Sequence, residues 1–238
     1  NNSRIYASTN TINSEIVLLE KCISKYKKTY GYPVFSDVTP DNNMFNLKYY
    51  DPVMHDQASV ILKTILGEQK ASSIPIYVTT KDESSVFNKD GGKLLPPAYS
   101  RHSSIFLNEC EFFRDWGDSE LNMVKMFFLI GHEAAHVKLQ HVAKWHVANI
   151  LLSEKTNSFQ TSKETLLREL HKKDEMSADI ESAKTLKLIG IMTKSAIRKH
   201  LQHHKAEALA QKISGLVFTE HPSHEETYEY LKKTYSQK

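Results

Sequence analysis

Apolar residues at Ile12, Ile16, Leu19 and Ile23 recur every three or four positions, which predicts an amphipathic helix over Ile12–Tyr30. Gly31, Pro33 and Pro40 break the chain into a loop after it. Val60, Ile61, Ile65 and Leu66 mark the inward face of a second helix, Met54–Gly67, with the glycine near its C-cap. The pattern then shifts to short β-branched and aromatic runs. Ile74–Thr80 and Ser103–Asn108 read as strands, with Ser85–Asn88 as a further short one. Asp90-Gly91-Gly92 is a turn, and Leu94–Ser100, carrying Pro96-Pro97, is an irregular loop. From Met126 to Ile130 every position is apolar, the mark of a helix buried on all sides. Asp118 is its N-cap, with Glu120 in the first turn. Trp145–Leu152 continues helically and Glu154–Ser162 is a polar loop. Ser162–Leu188, ended by Gly190, and Ile191–Phe218 are long helices, and a capping box at Ser223 and Glu226 opens the last one. The predicted fold is α+β and predominantly helical, with a small sheet packed on the buried helix.

Composition narrows the function classes. Of 238 residues, 40% are hydrophobic and 25% charged, as in ordinary globular proteins. A net charge of +3 is too small to suggest nucleic acid as the main partner. Lys194, Arg198, Lys199 and Lys205 read as a solvated helix face. No run of eighteen apolar residues predicts a transmembrane helix. The chain lacks an initiating methionine and so reads as a processed or trimmed form, for which a periplasmic or secreted location is the expectation. Cys22 and Cys110 pair in an oxidising compartment or stay free in a reducing one; two cysteines do not decide which.

The chemistry concentrates just after the buried helical run, in HEAAH: His132, Glu133, Ala134, Ala135 and His136. Residues four apart on a helix share a face, so His132 and His136 can direct two imidazoles at one metal ion. Glu133 projects beside them, within reach of a metal-bound water. This is the HExxH arrangement of zinc peptidases. Twelve histidines raise the odds of an accidental match, so a third ligand carries weight. His141 lies on the wrong face of a continuous helix, and His146 is about 15 Å further along its axis. Glu175 and Asp179, four apart in DEMSADIESA, could supply a ligand and a partner for a ligand's free N–H. Taken alone, they read equally as solvent-facing acids.

HEAAHVKLQH, EMSAD and HPSHEETY, in that order, resemble the gluzincin metallopeptidases of the HtpX, BepA and CAAX-prenyl-protease type, peptidase family forty-eight. The resemblance covers roughly Ile74 to Leu231. It implies one zinc ion held by His132, His136 and Glu175, and Asp179 behind His132. It also implies a histidine five residues past the motif, here His141, and an oxyanion donor at His221. Thr227 stands where that family commonly has an arginine. The implied protein is an endopeptidase that hydrolyses protein substrates, with Glu133 as general base. An extended substrate is expected along an edge strand formed by Ser104, Ile105, Phe106, Leu107 and Asn108. Residues 71–238 form the metallopeptidase domain, and residues 1–70 a helical segment within or beside it. Two readings compete: a chaperone or regulatory module that keeps the zinc site but cleaves little, and a nucleic-acid binder using the basic helix. Zinc-dependent cleavage of an unfolded protein and salt-dependent binding would separate them.

Overall fold

Local signals set the element ends. Ser8 accepts a hydrogen bond from Thr11 N to start helix α1 (Thr9–Tyr30), and Asp51 does the same for Met54 N at α3 (Pro52–Leu66), where proline takes the first helical position. The capping box opening α9 (His224–Ser236) is present in both directions. The computed structural model describes residues 8–35, 42–80, 98–101, 103–109, 119–154, 158–214 and 221–237. Its other elements are β1 (Met44–Asn46), α2 (Leu47–Tyr50), α4 (Glu68–Ala71), β2 (Ile76–Thr79), β3 (Ala98–Arg101), β4 (Ser104–Asn108), α5 (Ser119–Leu139), α6 (His141–Glu154), α7 (Lys163–Leu188) and α8 (Lys194–Ser214). Among the described residues the fold is mostly helical with one four-stranded sheet. No described helix is long and apolar enough to cross a membrane.

The strand order is β1-β2-β4-β3, with β2 and β4 parallel and the outer pairs antiparallel. The expected substrate strand is therefore not an edge. β4 bonds to β2 on one side and β3 on the other, and all five of its residues are buried. A strand paired on both sides has no free main-chain groups to offer a peptide. Among the described residues the outer strands are β1 and β3, and part of β3 the proline-rich sequence disguised as loop. Tyr77, Phe106 and Tyr99 are cross-strand partners, and their rings stack at 5.6 and 4.8 Å. The expected strand Ser85–Asn88, the turn at Asp90 and the Asp118 cap lie outside the described residues.

Two apolar cores flank one helix. In the first, Ile16, Leu19 and Ile23 of α1 meet Val147, Ala148, Leu151 and Leu152 of α6 and Leu166 and Leu170 of α7. In the second, α3, the sheet and α5 surround Ala183 and Leu186 further along α7, with α8 and α9 closing over them. Each fully buried leucine or isoleucine contributes about 1.5–3 kcal/mol. On α3 the inward stripe is Ala58, Ile61, Leu62 and Ile65; Val60, expected inward, is 51% exposed because it falls beside that stripe. Cys22 is a free thiol at the edge of the first core, and Cys110 lies outside the described residues.

One polar group sits deep in the second core. His200 is 2% exposed, edge-on to Phe128 with ring centroids 4.6 Å apart. Its Nδ1 is 2.9 Å from the Tyr235 hydroxyl. Burial, reinforced by the charges of His203 and Lys125, pushes its pKa down to about 3. The unfolded chain, with an ordinary pKa near 6.5, then takes up a proton that the folded chain refuses. Stability due to this group is complete above the unfolded value and falls as pH drops through the window from about 6.5 to 3. Its share of the slope is about 1.4 kcal/mol per pH unit. In urea unfolding between pH 6 and 4.5, His200→Asn should flatten the slope by about that amount. An unchanged slope would mean that His200 titrates freely in the folded protein.

Candidate metal centre

His132 and His136 lie one turn apart on α5, and Glu175 comes from α7 across the helix crossing. The nitrogen Nε2 of His132 is 2.9 Å from Nε2 of His136 and 3.2 Å from Oε2 of Glu175; Nε2 of His136 is 3.4 Å from Oε1 of Glu175. All three side chains are 4–10% exposed. Ligands 2.0–2.1 Å from a tetrahedral ion stand about 3.3 Å from one another, so these separations suit one ion. Among the described residues this is the one set of three such donors that converges.

The remaining imidazole nitrogens have their own partners. His132 Nδ1–H donates to Asp179 Oδ1 at 2.7 Å. His141 Nδ1 is 2.8 Å from His136 Nδ1, while its Nε2 faces Ser177 Oγ at 3.4 Å and Asp174 Oδ1 at 3.7 Å. Burial, with the charges of His136 and Lys144, pushes the pKa of His141 down to about 3, so the ring is neutral. Its proton belongs on Nε2, toward the two oxygens, and its Nδ1 accepts from His136 Nδ1–H. Both ligand-type histidines then turn lone pairs on Nε2 toward a carboxylate. Three acceptors facing one another require a cation or a shared proton. Burial acts to lower the proton affinity of His132, but Asp179 and then Glu175 outweigh it and raise it well above the ordinary value. Burial likewise acts to raise the Glu175 carboxyl, but the imidazoles of His132, His136 and His221 packed against it hold it far below the ordinary carboxylate range. The same field attracts a divalent cation.

His141 reaches this place because α5 does not continue. Gln140 adopts φ 58°, which ends α5 at Leu139 and starts α6 at His141. The expectation that His141 lies on the wrong face holds for a straight helix, and the break removes its premise. Behind the site, Asp174 is 3% exposed and accepts from Lys144 Nζ at 2.6 Å and Trp145 Nε1 at 2.8 Å, which ties α6 to α7. Glu20 of α1 accepts from Lys144 and Lys173 at 3.3 and 2.6 Å. Tyr230 of α9 donates its hydroxyl to Asp179 and lies 3.1 Å from the hydroxyl of Thr227. Spacing alone offers no signal for Tyr230 or for the β3 wall.

Glu133 is 6% exposed and lines a cavity of about 520 Å³ together with the three donors, Ala98, Tyr99 and Ser100 of β3, and His221. His221 Nδ1–H donates to Glu175 Oε2 at 3.0 Å. A neutral His221 so placed has its acceptor nitrogen facing away, and it donates to a further oxygen only as imidazolium. The residues singled out in the sequence, His132, Glu133, His136, Glu175, Asp179 and His221, thus share one cavity wall; Ser104–Asn108 are in the sheet interior. No protein-family model matches the chain, and no curated protein or solved structure matches it.

The helices approach most closely beside the ligands. A Cβ added at Gly131 would stand 2.4 Å from Ser182 Oγ and 3.2 Å from its Cβ. Ser182 is fully buried and donates to Phe128 O at 2.7 Å, so it has no free space to enter. Gly131→Ala gains up to about 1 kcal/mol of helix propensity, but overpacks the crossing at a cost of about 1–3 kcal/mol and breaks the Ser182 hydrogen bond, worth about 1 more. Net destabilisation in urea unfolding and weaker metal uptake are expected. An equally or more stable variant would show that the crossing does not depend on this contact.

Proposed function

We propose that the chain is a zinc-dependent endopeptidase with a zincin-like arrangement of helix and sheet. The observation that carries the reading is the convergence of His132, His136 and Glu175 in a cavity that also holds Glu133. The ordered HEAAH, EMSAD and HPSHEETY motifs support it. Two nitrogens and one carboxylate oxygen are the donor set of a catalytic zinc site with a position left for water. When bound, zinc acidifies its water from a pKa of 15.7 to about 7 and withdraws charge from a carbonyl oxygen.

The chain's own residues then divide the work. Asp179 and His141 hold the two imidazoles by their N–H groups, which fixes both rings in the tautomer that leaves Nε2 free. Tyr230 and Thr227 orient Asp179 in turn. Glu133 takes a proton from the attacking water and delivers it to the leaving amine. An extended peptide adds to the outer edge of β3, where Ala98, Tyr99 and Ser100 border the cavity, and so brings its main chain past Glu133. His221 orients Glu175 and, as imidazolium, donates to the oxyanion.

Metal content and cleavage of an unfolded protein test this together. Wild-type protein should carry about one zinc per chain and lose activity to a chelator. Glu175→Ala should lose most of the zinc, because two histidines alone are too few ligands for a stable site. Glu133→Gln should fold and keep its zinc, with cleavage down by about 10²–10⁴-fold or more. Wild-type cleavage by Glu133→Gln, or full zinc content in Glu175→Ala, would sink the reading.

A further inference from the structure

A second cavity adjoins the first. Its volume is about 470 Å³, and it shares Ser100, His136 and Val142 with the walls around the candidate metal ligands. The two spaces therefore meet at the side of a ligand histidine. From there the second follows the sheet. Ala98, Tyr99 and Ser100 border the first space, and Ser100 and Ser103 border the second.

One wall of the second cavity is the corner between α5 and α6, with Val137, Val142 and Ala143. Another comes from the start of the chain, where Tyr32, Pro33, Val34 and Phe35 follow α1. That stretch is fastened to the corner and to α6. Lys27 Nζ donates to Gln140 Oε1 at 3.0 Å, and the Phe35 ring stands edge-on to the His146 ring with centroids 5.4 Å apart. A segment far from the HEAAH and EMSAD motifs thus forms part of the cleft.

The chemistry of these walls is apolar. Val34 is 98% exposed, so nearly all of its surface is open to a ligand. A single exposed valine needs no explanation on a convex surface, but this one lines a concave space opposite no charge of its own. The ammoniums that border the cavity are engaged by the protein. Lys27 Nζ, bonded to Gln140, lies 4.6 Å from the centre of the Tyr32 ring, and Lys70 Nζ donates to Val137 O at 3.3 Å. The volume falls in the range of about 300–1,000 Å³ common to ligand pockets.

We propose that this second cavity is a specificity pocket for a large apolar side chain, of leucine or phenylalanine size, on the peptide whose bond is presented to Glu133. The proposal rests on the peptidase reading, which lays the peptide along β3. Successive residues of an extended chain advance about 3.4 Å, the same step as the strand beside it. The first cavity is centred near Tyr99 and the second between Ser100 and Ser103, so the side chain received belongs to a residue about two or three positions from the bond. Antiparallel pairing with β3 puts that residue before the bond, and parallel pairing puts it after. Taking the carbons that leucine has beyond alanine out of water is expected to favour leucine by about tenfold or more.

The test uses Glu133→Gln protein, with its metal content measured on the same sample. Peptides of one alanine-rich sequence are compared, with a single leucine moved through successive positions. Calorimetry should find one position at which leucine binds about tenfold or more tightly than alanine. Val34→Asp puts a charge on the exposed wall without disturbing the core, and Ala143→Phe fills the space; each should bring that ratio toward one. A fall in either variant supports the pocket. Equal binding of the leucine and alanine peptides throughout, no binding by any peptide, or a ratio that both variants leave unchanged would overturn it. Glutamate binding more tightly than leucine at the favoured position would overturn it in favour of a basic subsite at Lys27 and Lys70. Zinc-free protein that keeps the ratio contradicts the peptidase reading and leaves the pocket standing, while zinc-loaded protein without the ratio removes the pocket alone.

Discussion

The close crossing of α5 and α7 is the constraint on which the rest depends. Two histidines are placed by their own helix, but a carboxylate from another helix reaches them only at one separation and one register. Gly131 permits the separation, and Ser182, bonded to Phe128 O, holds the register. Ala178, one turn before Ser182 on α7, is also fully buried. Small residues at a crossing let the backbones approach, and the polar side chains beside them then meet at bonding distance. The acids lie on α7 between Leu170 of one apolar core and Ala183 of the other, so hydrophobic packing on both sides anchors the segment that carries charge.

That segment is electrostatically costly. Glu175 and Asp179 bring two carboxylates into a nearly dry place, where an unpaired charge costs several kcal/mol. The surrounding groups offset the cost in layers. Imidazoles face Glu175, while an imidazole N–H and a phenol face Asp179. Their neighbour Asp174, buried as deeply, meets an ammonium and an indole N–H. Burial raises the Asp174 carboxyl, and Lys144 and Trp145 counter only part of that rise.

Local periodicity made the histidine pair and Glu133 legible, because residues four apart share a helix face wherever that helix packs. The same holds for the α3 stripe, although Val60 showed that an apolar residue next to a stripe need not join it. Glu175 was indistinguishable by spacing from any surface acid; its place depends on the α5–α7 crossing, which involves residues far apart in sequence. β3 was hidden because Pro96-Pro97 dominate the reading of the segment before it, and the edge position of β3 follows from strand order, which no single strand encodes. His141 was misjudged for a reason specific to one residue. Nothing about Gln140 announces a left-handed backbone, since glycine or asparagine would be the usual marker.

Gln140 has a consequence for which substitutions this chain tolerates. It is the only non-glycine residue with positive φ among the described residues, a conformation that costs about 1–2 kcal/mol. Its side-chain oxygen accepts from Lys27 Nζ at 3.0 Å, so α1 grips the corner between α5 and α6 from outside. By exposure and polarity the position resembles a permissive surface loop. Conformationally it is among the least permissive. Glycine would relax the backbone while releasing the grip of Lys27, asparagine would keep the turn with a shorter reach, and valine or isoleucine would force the corner open. A variation map of this protein should therefore show a narrow column at a site that is nowhere near buried, with the cost of a wrong residue appearing one turn back on α5, in the orientation of the His136 ring.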